Sequence, residues 1–212
     1  ARSHTGALAG NDKIYDDVLR QSGVIRAKSL RDLLDFARGV PMLPTPKGEN
    51  IVIITGAGGS GVLLSDACVD NGLKLLKPMP PDLDAAFRKF IPPFGAAGNP
   101  VDITGVEPPI TYMNTVRLGL EDERIHALIL GYWHTIVTPP MVFARNMVQV
   151  IDEMKQKGIV KPVVASLAGD VEVEEAAQYL YEHGIPAYAY STEIPVAVLG
   201  AKYQWARGAG LL

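Results

Sequence analysis

The stretch Ile51-Val52-Ile53-Ile54-Thr55-Gly56-Ala57-Gly58-Gly59-Ser60-Gly61-Val62-Leu63-Leu64-Ser65-Asp66 reads as a buried strand, a glycine turn and the start of a helix. Four apolar β-formers in succession suit a strand covered on both faces, as in a parallel sheet. The glycines at 56, 58, 59 and 61 then let the backbone turn sharply and come close to a ligand. A helix beginning near Ser60 would aim its free N–H groups and positive dipole end at whatever occupies the turn, which favours a phosphoryl group. The spacing Gly56-x-Gly58-x-x-Gly61 also fits the dinucleotide fingerprint. However, no acidic residue closes a second strand about 20 residues on, where Leu73 to Lys77 ends in lysine, and there is no Walker lysine. The same turn can also serve only to pack a helix tightly on a strand.

Outward from this stretch, strand and helix patterns alternate to the end of the chain, which predicts parallel βα units in an α/β open sheet with helices on both faces. Strands are expected at 51–55, 73–76, 101–103, 127–132 and 162–166, with 186–190 as an edge strand. Helices are expected at 61–71, 81–90, 109–121, 141–157, 173–183 and 195–207, each with proline or a capping residue near its start. Upstream, Asn11 or Asp12 caps a helix to about Gln21 with Ile14, Tyr15, Val18 and Leu19 on one face, and Ser29 caps a second helix from Leu30 to Arg38. The segment Pro41-Met42-Leu43-Pro44-Thr45-Pro46-Lys47-Gly48 has the composition of a linker. The expected division is therefore a two-helix N-terminal segment, 1–45, and a sheet domain, 46–212. The sheet should bind its ligand at the carboxyl ends of its strands, where Gly56 to Gly61 lie.

With 20 basic and 23 acidic residues and no block of either sign, the 212-residue chain gives no reason to expect nucleic acid or an anionic membrane as partner. No apolar run approaches the roughly 20 residues of a membrane span, and the N-terminus lacks the layout of a signal peptide. The single Cys68 falls on an apolar helix face and suits a reducing cytoplasm. A small-residue motif at the very start of the chain has no strand before it, so the sequence reads as a fragment of something longer.

His4 stands among small residues in Ser3-His4-Thr5-Gly6-Ala7-Leu8-Ala9-Gly10. An exposed imidazole can take a phosphoryl group and release it near neutral pH, although a histidine near a chain end is also an ordinary surface residue. His126 and His183 read as structural. Three further residues are candidates for lining the cleft at the glycine turn. Asn99 and Asp102 belong to Asn99-Pro100-Val101-Asp102, whose plain reading is an Asx-turn, and His134 follows a strand. Asp170 or Glu172 reads as a helix cap. No CxxC, HExxH or Ser-His-Asp pattern occurs, so neither a metal site nor a serine hydrolase is expected.

The His4 motif, followed after the proline-rich linker by Ala57-Gly58-Gly59-Ser60-Gly61-Val62 and then by Asn99-Pro100-Val101-Asp102, resembles the NDP-forming (ADP-forming) acyl-CoA synthetases, relatives of succinyl-CoA synthetase. The likeness covers nearly the whole chain. It implies a flavodoxin-like ligase-CoA domain at 46–212, preceded by the C-terminal tail of another ligase domain at 1–45. It also implies that His4 is the catalytic phosphohistidine and that Gly56, Ala57, Gly58, Gly59, Ser60 and Gly61 bind its phosphate. The whole enzyme would use CoA, ATP/ADP, phosphate and Mg2+, of which this fragment alone would bind only phosphate. Its partners would be the CoA-binding and ATP-grasp domains, in the same chain or another subunit of a homo- or hetero-oligomer in the cytoplasm. Relatives often carry proline where Ser60 stands. The implied reaction is acyl-CoA + ADP + phosphate ⇌ acid + CoA + ATP, with the fragment inactive by itself. The alternative is a catalytically silent, synthetase-like sensor module of a multidomain acetyltransferase, in which the histidine would be expected to be lost.

Overall fold

A computed structural model of the protein describes residues 12–212. Two helices come first, α1 (Asp12–Gln21) and α2 (Leu30–Gly39). Then β1 (Asn50–Thr55), α3 (Gly58–Asp70), β2 (Lys74–Leu75), α4 (Pro81–Arg88), β3 (Val101–Asp102), α5 (Pro109–Glu121), β4 (Ala127–Trp133), α6 (Pro140–Gln156), β5 (Val163–Ala168), α7 (Glu172–Glu182), β6 (Ala187–Ala189) and α8 (Glu193–Gly208) alternate strand with helix. The strands form one parallel sheet in the order β2-β1-β4-β5-β6, and β3 also pairs with β1.

Both faces of the sheet are covered, which is why β1 reads as an unbroken apolar run: Ile51, Val52, Ile53 and Ile54 are all fully buried. Successive side chains point to opposite faces. Ile51 and Ile53, with Ile129 of β4 and Val164 of β5, pack under α3 and α8. Val52 and Ile54, with Leu128 and Leu130, pack under α4 to α7. At roughly 1.5–3 kcal/mol for each large aliphatic side chain, this two-sided burial is the main driving force for the fold. Helices α1 and α2 lie outside the sheet, packed on α8. Their apolar residues are unusually open: Ile14, Tyr15, Val18, Leu30, Leu33 and Leu34 are all exposed.

Proline starts α4, α5 and α6, where the missing N–H costs nothing because a first-turn amide has no intrahelical acceptor. Helix α2 begins with the expected cap, Ser29 Oγ accepting from the Asp32 N–H at 3.0 Å. Helix α3, by contrast, starts at Gly58, three residues before its expected start at 61, with Ala57 at the N-cap and no side chain capping it. Glycine is a poor helix former, so propensity alone argues for the later start.

Strands β2 and β3 are two residues each and pair with opposite ends of β1, β2 at Asn50–Ile51 and β3 at Ile54–Thr55. The gap between them is filled by the side chain of Asn99. Its Oδ1 accepts from the Ile53 N–H at 3.0 Å, and its Nδ2 donates to the Ile51 carbonyl at 2.7 Å and toward that of Leu76 at 3.4 Å. One amide thus stands in for a missing piece of strand. The Ile51 carbonyl also accepts from the Leu76 N–H at 2.9 Å, so replacing Asn99 with Leu leaves the buried Ile53 N–H as the unpaired group and should cost about 1–3 kcal/mol. Denaturant unfolding of Asn99→Leu with a midpoint equal to wild type would refute this role.

At the other end of β1, His126 Nδ1 accepts from the Asn50 N–H at 3.0 Å, so the ring is neutral when the bond is made. Burial, assisted by the nearby Lys161 ammonium, holds its pKa below the ordinary 6.5. Below about pH 6.5 the unfolded chain takes up a proton that the folded chain does not, so stability should fall as pH drops toward the lower folded-state value. In His126→Asn, whose carboxamide can accept the same bond without titrating, that part of the slope should disappear from urea unfolding measured between about pH 5 and 7.

Candidate functional site

The carboxyl end of β1 turns into α3 through Gly56 and Ala57. Thr55 Oγ1 accepts from the Ala57 N–H at 3.0 Å and meets the Ala57 carbonyl at 3.1 Å, closing the turn on itself. The Gly56 N–H donates to the Gly131 carbonyl at 3.1 Å, and the Tyr112 hydroxyl donates to that same oxygen at 3.0 Å. Tyr112 is buried beside Phe143 and Tyr132, with ring centroids 5.0 and 6.4 Å away, and burial pushes its hydroxyl pKa up. It is a fixed post under the turn, not an acid.

None of the four glycines has a positive φ. Space, not backbone conformation, demands three of them. A Cβ on Gly56 would collide with the Tyr112 hydroxyl, one on Gly58 would lie 2.8 Å from Asp102 Oδ2, and one on Gly61 would lie 3.1 Å from the Thr55 methyl and 3.2 Å from Pro100. A Cβ on Gly59 would meet nothing within 4 Å, so this residue faces open space. The first intrahelical bond runs from the Gly61 N–H to the Ala57 carbonyl at 3.0 Å. The N–H groups of Gly58, Gly59 and Ser60 precede it and have no acceptor among the described residues, and Gly58 and Gly59 are exposed. Three amides and a positive dipole end therefore meet at one exposed point, which suits a small oxyanion.

Asp102 stands beside this point. Its Oδ1 accepts from the Thr104 N–H at 2.8 Å, the Asx-turn read from the sequence, which leaves Oδ2 turned toward Gly58. Thr104 itself has φ 65°, a costly conformation for a β-branched residue, and its buried Oγ1 has no partner among the described residues. Asn99 does not line the cleft. It belongs to the sheet edge, because its amide answers backbone groups of β1.

His134 does not reach the glycine turn either. Trp133 and His134 are neighbours leaving one strand, so they point to opposite faces. Trp133 lines the cleft beside α3, whereas His134 meets the start of α7. There its Nδ1 lies 3.1 Å from Asp170 Oδ1 and its Nε2 3.7 Å from Glu172 Oε2. The three side chains bring their ligand atoms within 4.8 Å of one another, a grouping a divalent cation could use. The sequence reading missed this trio because the residues are 36 and 38 positions apart and join only when β4 and β5 pair. Asp170 also caps α7, accepting from the Glu172 N–H at 3.2 Å. His183 ends α7, its Nδ1 2.7 Å from the Tyr179 carbonyl. Cys68 is buried, and desolvation pushes its thiol up to about 12, so it is no nucleophile. His4, the residue on which the phosphoryl reading depends, lies outside the described residues.

A cleft of about 700 Å³ opens between the start of α3 and the start of α8, at the carboxyl ends of β4 and β5. Such a position, where neighbouring strands run to opposite sides of the first strand, is where open parallel sheets hold their ligands. The family model for the Ligase-CoA domain matches residues 51–212. The chain belongs to that family. Residues 1–40 match the succinyl-CoA ligase like flavodoxin domain. The chain is 39% identical over 207 residues to the alpha subunit of ADP-forming acetate–CoA ligase I of Pyrococcus furiosus, a match covering 98% of this chain and 44% of the relative. It is 33% identical over 195 residues to the ADP-forming 4-hydroxybutyrate–CoA ligase of Nitrosopumilus maritimus, covering 90% of this chain and 26% of that one. In three dimensions it superimposes with a TM-score of 0.87 and 35% identity on dinucleotide-forming acetyl-coenzyme A synthetase 1 of Ca. Korarchaeum cryptofilum, solved in complex with phosphate and ADP, over 98% of this chain and 44% of that one. The chain thus spans less than half the length of the relatives it matches. Among the described residues no helix is long and apolar enough to cross a membrane.

Gly56 and Gly59 differ in the room around them, and alanine at each should tell them apart. Gly56→Ala should destabilise the fold by about 1–3 kcal/mol through overpacking against Tyr112, while Gly59→Ala should not lower stability. Equal thermal unfolding of the two variants would show that the turn is not held by Tyr112.

Proposed function

We propose that this ligase-CoA family chain is part of an ADP-forming acyl-CoA synthetase that interconverts acyl-CoA, ADP and phosphate with acid, CoA and ATP, and that the start of α3 holds the phosphoryl group while His4 carries it. The carrying observation is the uncapped helix start, where Gly58, Gly59 and Ser60 offer three amides at one exposed point. A relative of the same fold was solved with phosphate, which supports the reading.

The His4 imidazole nitrogen attacks the phosphorus of an acyl phosphate, the bond from phosphorus to the acyl oxygen breaks, and the acid leaves as its carboxylate. The α3 amides stabilise the charge on the phosphoryl oxygens during this step. A terminal phosphate oxygen of ADP then attacks the same phosphorus, the P–N bond breaks, and neutral His4 is regenerated. The Gly58 and Gly59 positions matter because a side chain there would stand between the amides and the phosphoryl group.

The domain division follows this reading: 1–45 as the tail of a preceding ligase domain and 46–212 as the ligase-CoA domain. The exposed apolar residues of α1 and α2 support it, since the body of a preceding domain would cover them. The CoA-binding and ATP-grasp domains, in the same chain or a partner subunit, would bring CoA, the nucleotide and Mg2+. The fragment alone binds only phosphate and makes no acyl-CoA. Retention of His4 speaks against a silent sensor module. A cytoplasmic location fits these substrates.

In the enzyme with all its domains, His4→Ala should abolish both ³²P incorporation from labelled phosphate and ADP phosphorylation. Gly59→Val should instead slow formation of the labelled phosphohistidine or shorten its life, with the fold intact. Intact labelling and ATP formation in His4→Ala would remove the carrier role.

A further inference from the structure

The cleft beside α3 has walls that the phosphoryl chemistry does not require. Leu63 of α3, Trp133 at the end of β4 and Tyr190 after β6 line it, and all three are about half exposed, at 55, 53 and 55%. Between them the lining is small, with Gly59 and Ala168 leaving room. Tyr190 is held in place: its N–H donates to the Leu167 carbonyl at 2.8 Å, its hydroxyl to the Asp170 carbonyl at 3.0 Å, and its φ is 60°. A strained aromatic pinned at both ends is a built wall and not a loose surface residue.

Charge is distributed unevenly around the same space. The lining described residues include no Lys, Arg or His. The one charged member is Glu193, whose carboxylate lies 3.1 Å from the Ser191 hydroxyl at the start of α8. The amides there, its own first, hold its pKa below the ordinary carboxylate range, so it is ionised at neutral pH. The cleft therefore has a positive helix end at α3, an apolar middle, and a negative group at α8.

We propose that this cleft takes the acyl group of the carboxylic acid substrate, selecting monocarboxylates whose apolar group is larger than a methyl and rejecting dicarboxylates, with Leu63, Trp133 and Tyr190 gripping the group and Glu193 repelling a second carboxylate. The inference rests on the reading that phosphoryl transfer occurs at the start of α3. The acid's reacting end sits at the amides, and its tail points along the apolar wall. The apolar wall supports a tail larger than methyl, since Leu63, Trp133 and Tyr190 offer surface that acetate would not cover. Each buried methylene is worth about a fourfold gain in kcat/KM. A second carboxylate meets Glu193 with no Lys, Arg or His among the described lining residues to compensate, a discrimination of roughly tenfold.

The test uses the enzyme with all its domains and compares kcat/KM for acetate, isovalerate, phenylacetate and succinate in acyl-CoA formation with ATP and CoA. Isovalerate or phenylacetate should exceed acetate by about tenfold or more, and succinate should be poorest. Trp133→Ala should reduce the isovalerate-to-acetate ratio by about tenfold, and Trp133→Phe should restore most of it. Glu193→Gln should raise the succinate-to-isovalerate ratio by about tenfold. Ratios that stay at the wild-type value in both Trp133→Ala and Glu193→Gln, or a wild type that prefers succinate, overturn the inference while leaving the phosphohistidine reading in place. An enzyme that neither labels His4 nor makes acyl-CoA from any of these acids overturns both.

Discussion

One side-chain amide determines how the functional end of this sheet is arranged. Asn99 takes the hydrogen bond of the Ile53 N–H that a longer neighbouring strand would have made, and shares the Ile51 carbonyl with the Leu76 N–H. Because it does, β2 can leave β1 after two residues and β3 can join it only at Ile54 and Thr55. The late arrival of β3 puts Asp102 and Thr104 beside the turn, level with Gly58, instead of farther down the sheet. Buried backbone groups must be paired, so a chain with two such short edge strands needs an acceptor for the Ile53 N–H at this place, and a donor beside it suits the Ile51 carbonyl. Aspartate has the shape of asparagine but no N–H to offer the Ile51 carbonyl. Leucine has neither group.

Around that arrangement the turn is made by crowding. Tyr112 leaves Gly56 no room for a side chain, and one on Gly58 or Gly61 would displace Asp102, or Thr55 and Pro100. The tight fit fixes where α3 begins, and a helix whose start is fixed and uncapped keeps its first amides in one place. Preorganisation of this kind is what makes a helix end useful to a doubly charged group, because no reordering is needed when the charge arrives. The strain at Thr104 lies in the same few residues, consistent with a backbone held by its surroundings and not by its own preference.

Much of this was legible in the sequence. The run Ile51 to Ile54 and the glycines after it indicated a two-sided parallel sheet whose first strand ends in a tight turn, because burial on both faces removes the polar alternation of a half-exposed strand. Prolines 81, 109 and 140 marked helix starts through the chemistry of a missing N–H. What was not legible depended on the third dimension. Asn99 and Asp102 are three residues apart, yet one serves the sheet edge and the other the turn, and no local pattern distinguishes them. Trp133 and His134 are adjacent and diverge for the simplest reason, the period of two in a strand. Periodicity was available in the sequence, but using it required knowing that β4 runs on to Trp133, one residue past its expected end. The Asp170 and Glu172 partners of His134 became neighbours only through the pairing of β4 with β5.

Two helix starts face the same cleft, and their difference explains why an anion would choose between them. At α8 the first-turn amides already serve Glu193, with Ser191 assisting, and Ser191 Oγ also accepts from the Ile194 N–H at 3.0 Å. That end is neutralised from within the chain. At α3 the corresponding positions are Gly58, Gly59 and Ser60, where two residues have no side chain and the third is not used as a cap. A protein that only needed to start a helix would place Ser, Thr, Asp or Asn at the N-cap, for a gain of about 1 kcal/mol, yet Ala57 stands there. Thr55, two residues earlier, closes the turn without touching the α3 amides, although it carries the hydroxyl that a cap requires. The stability forgone at α3 leaves its positive end unoccupied, and that end stands at the mouth of the cleft that α8 closes with a negative charge.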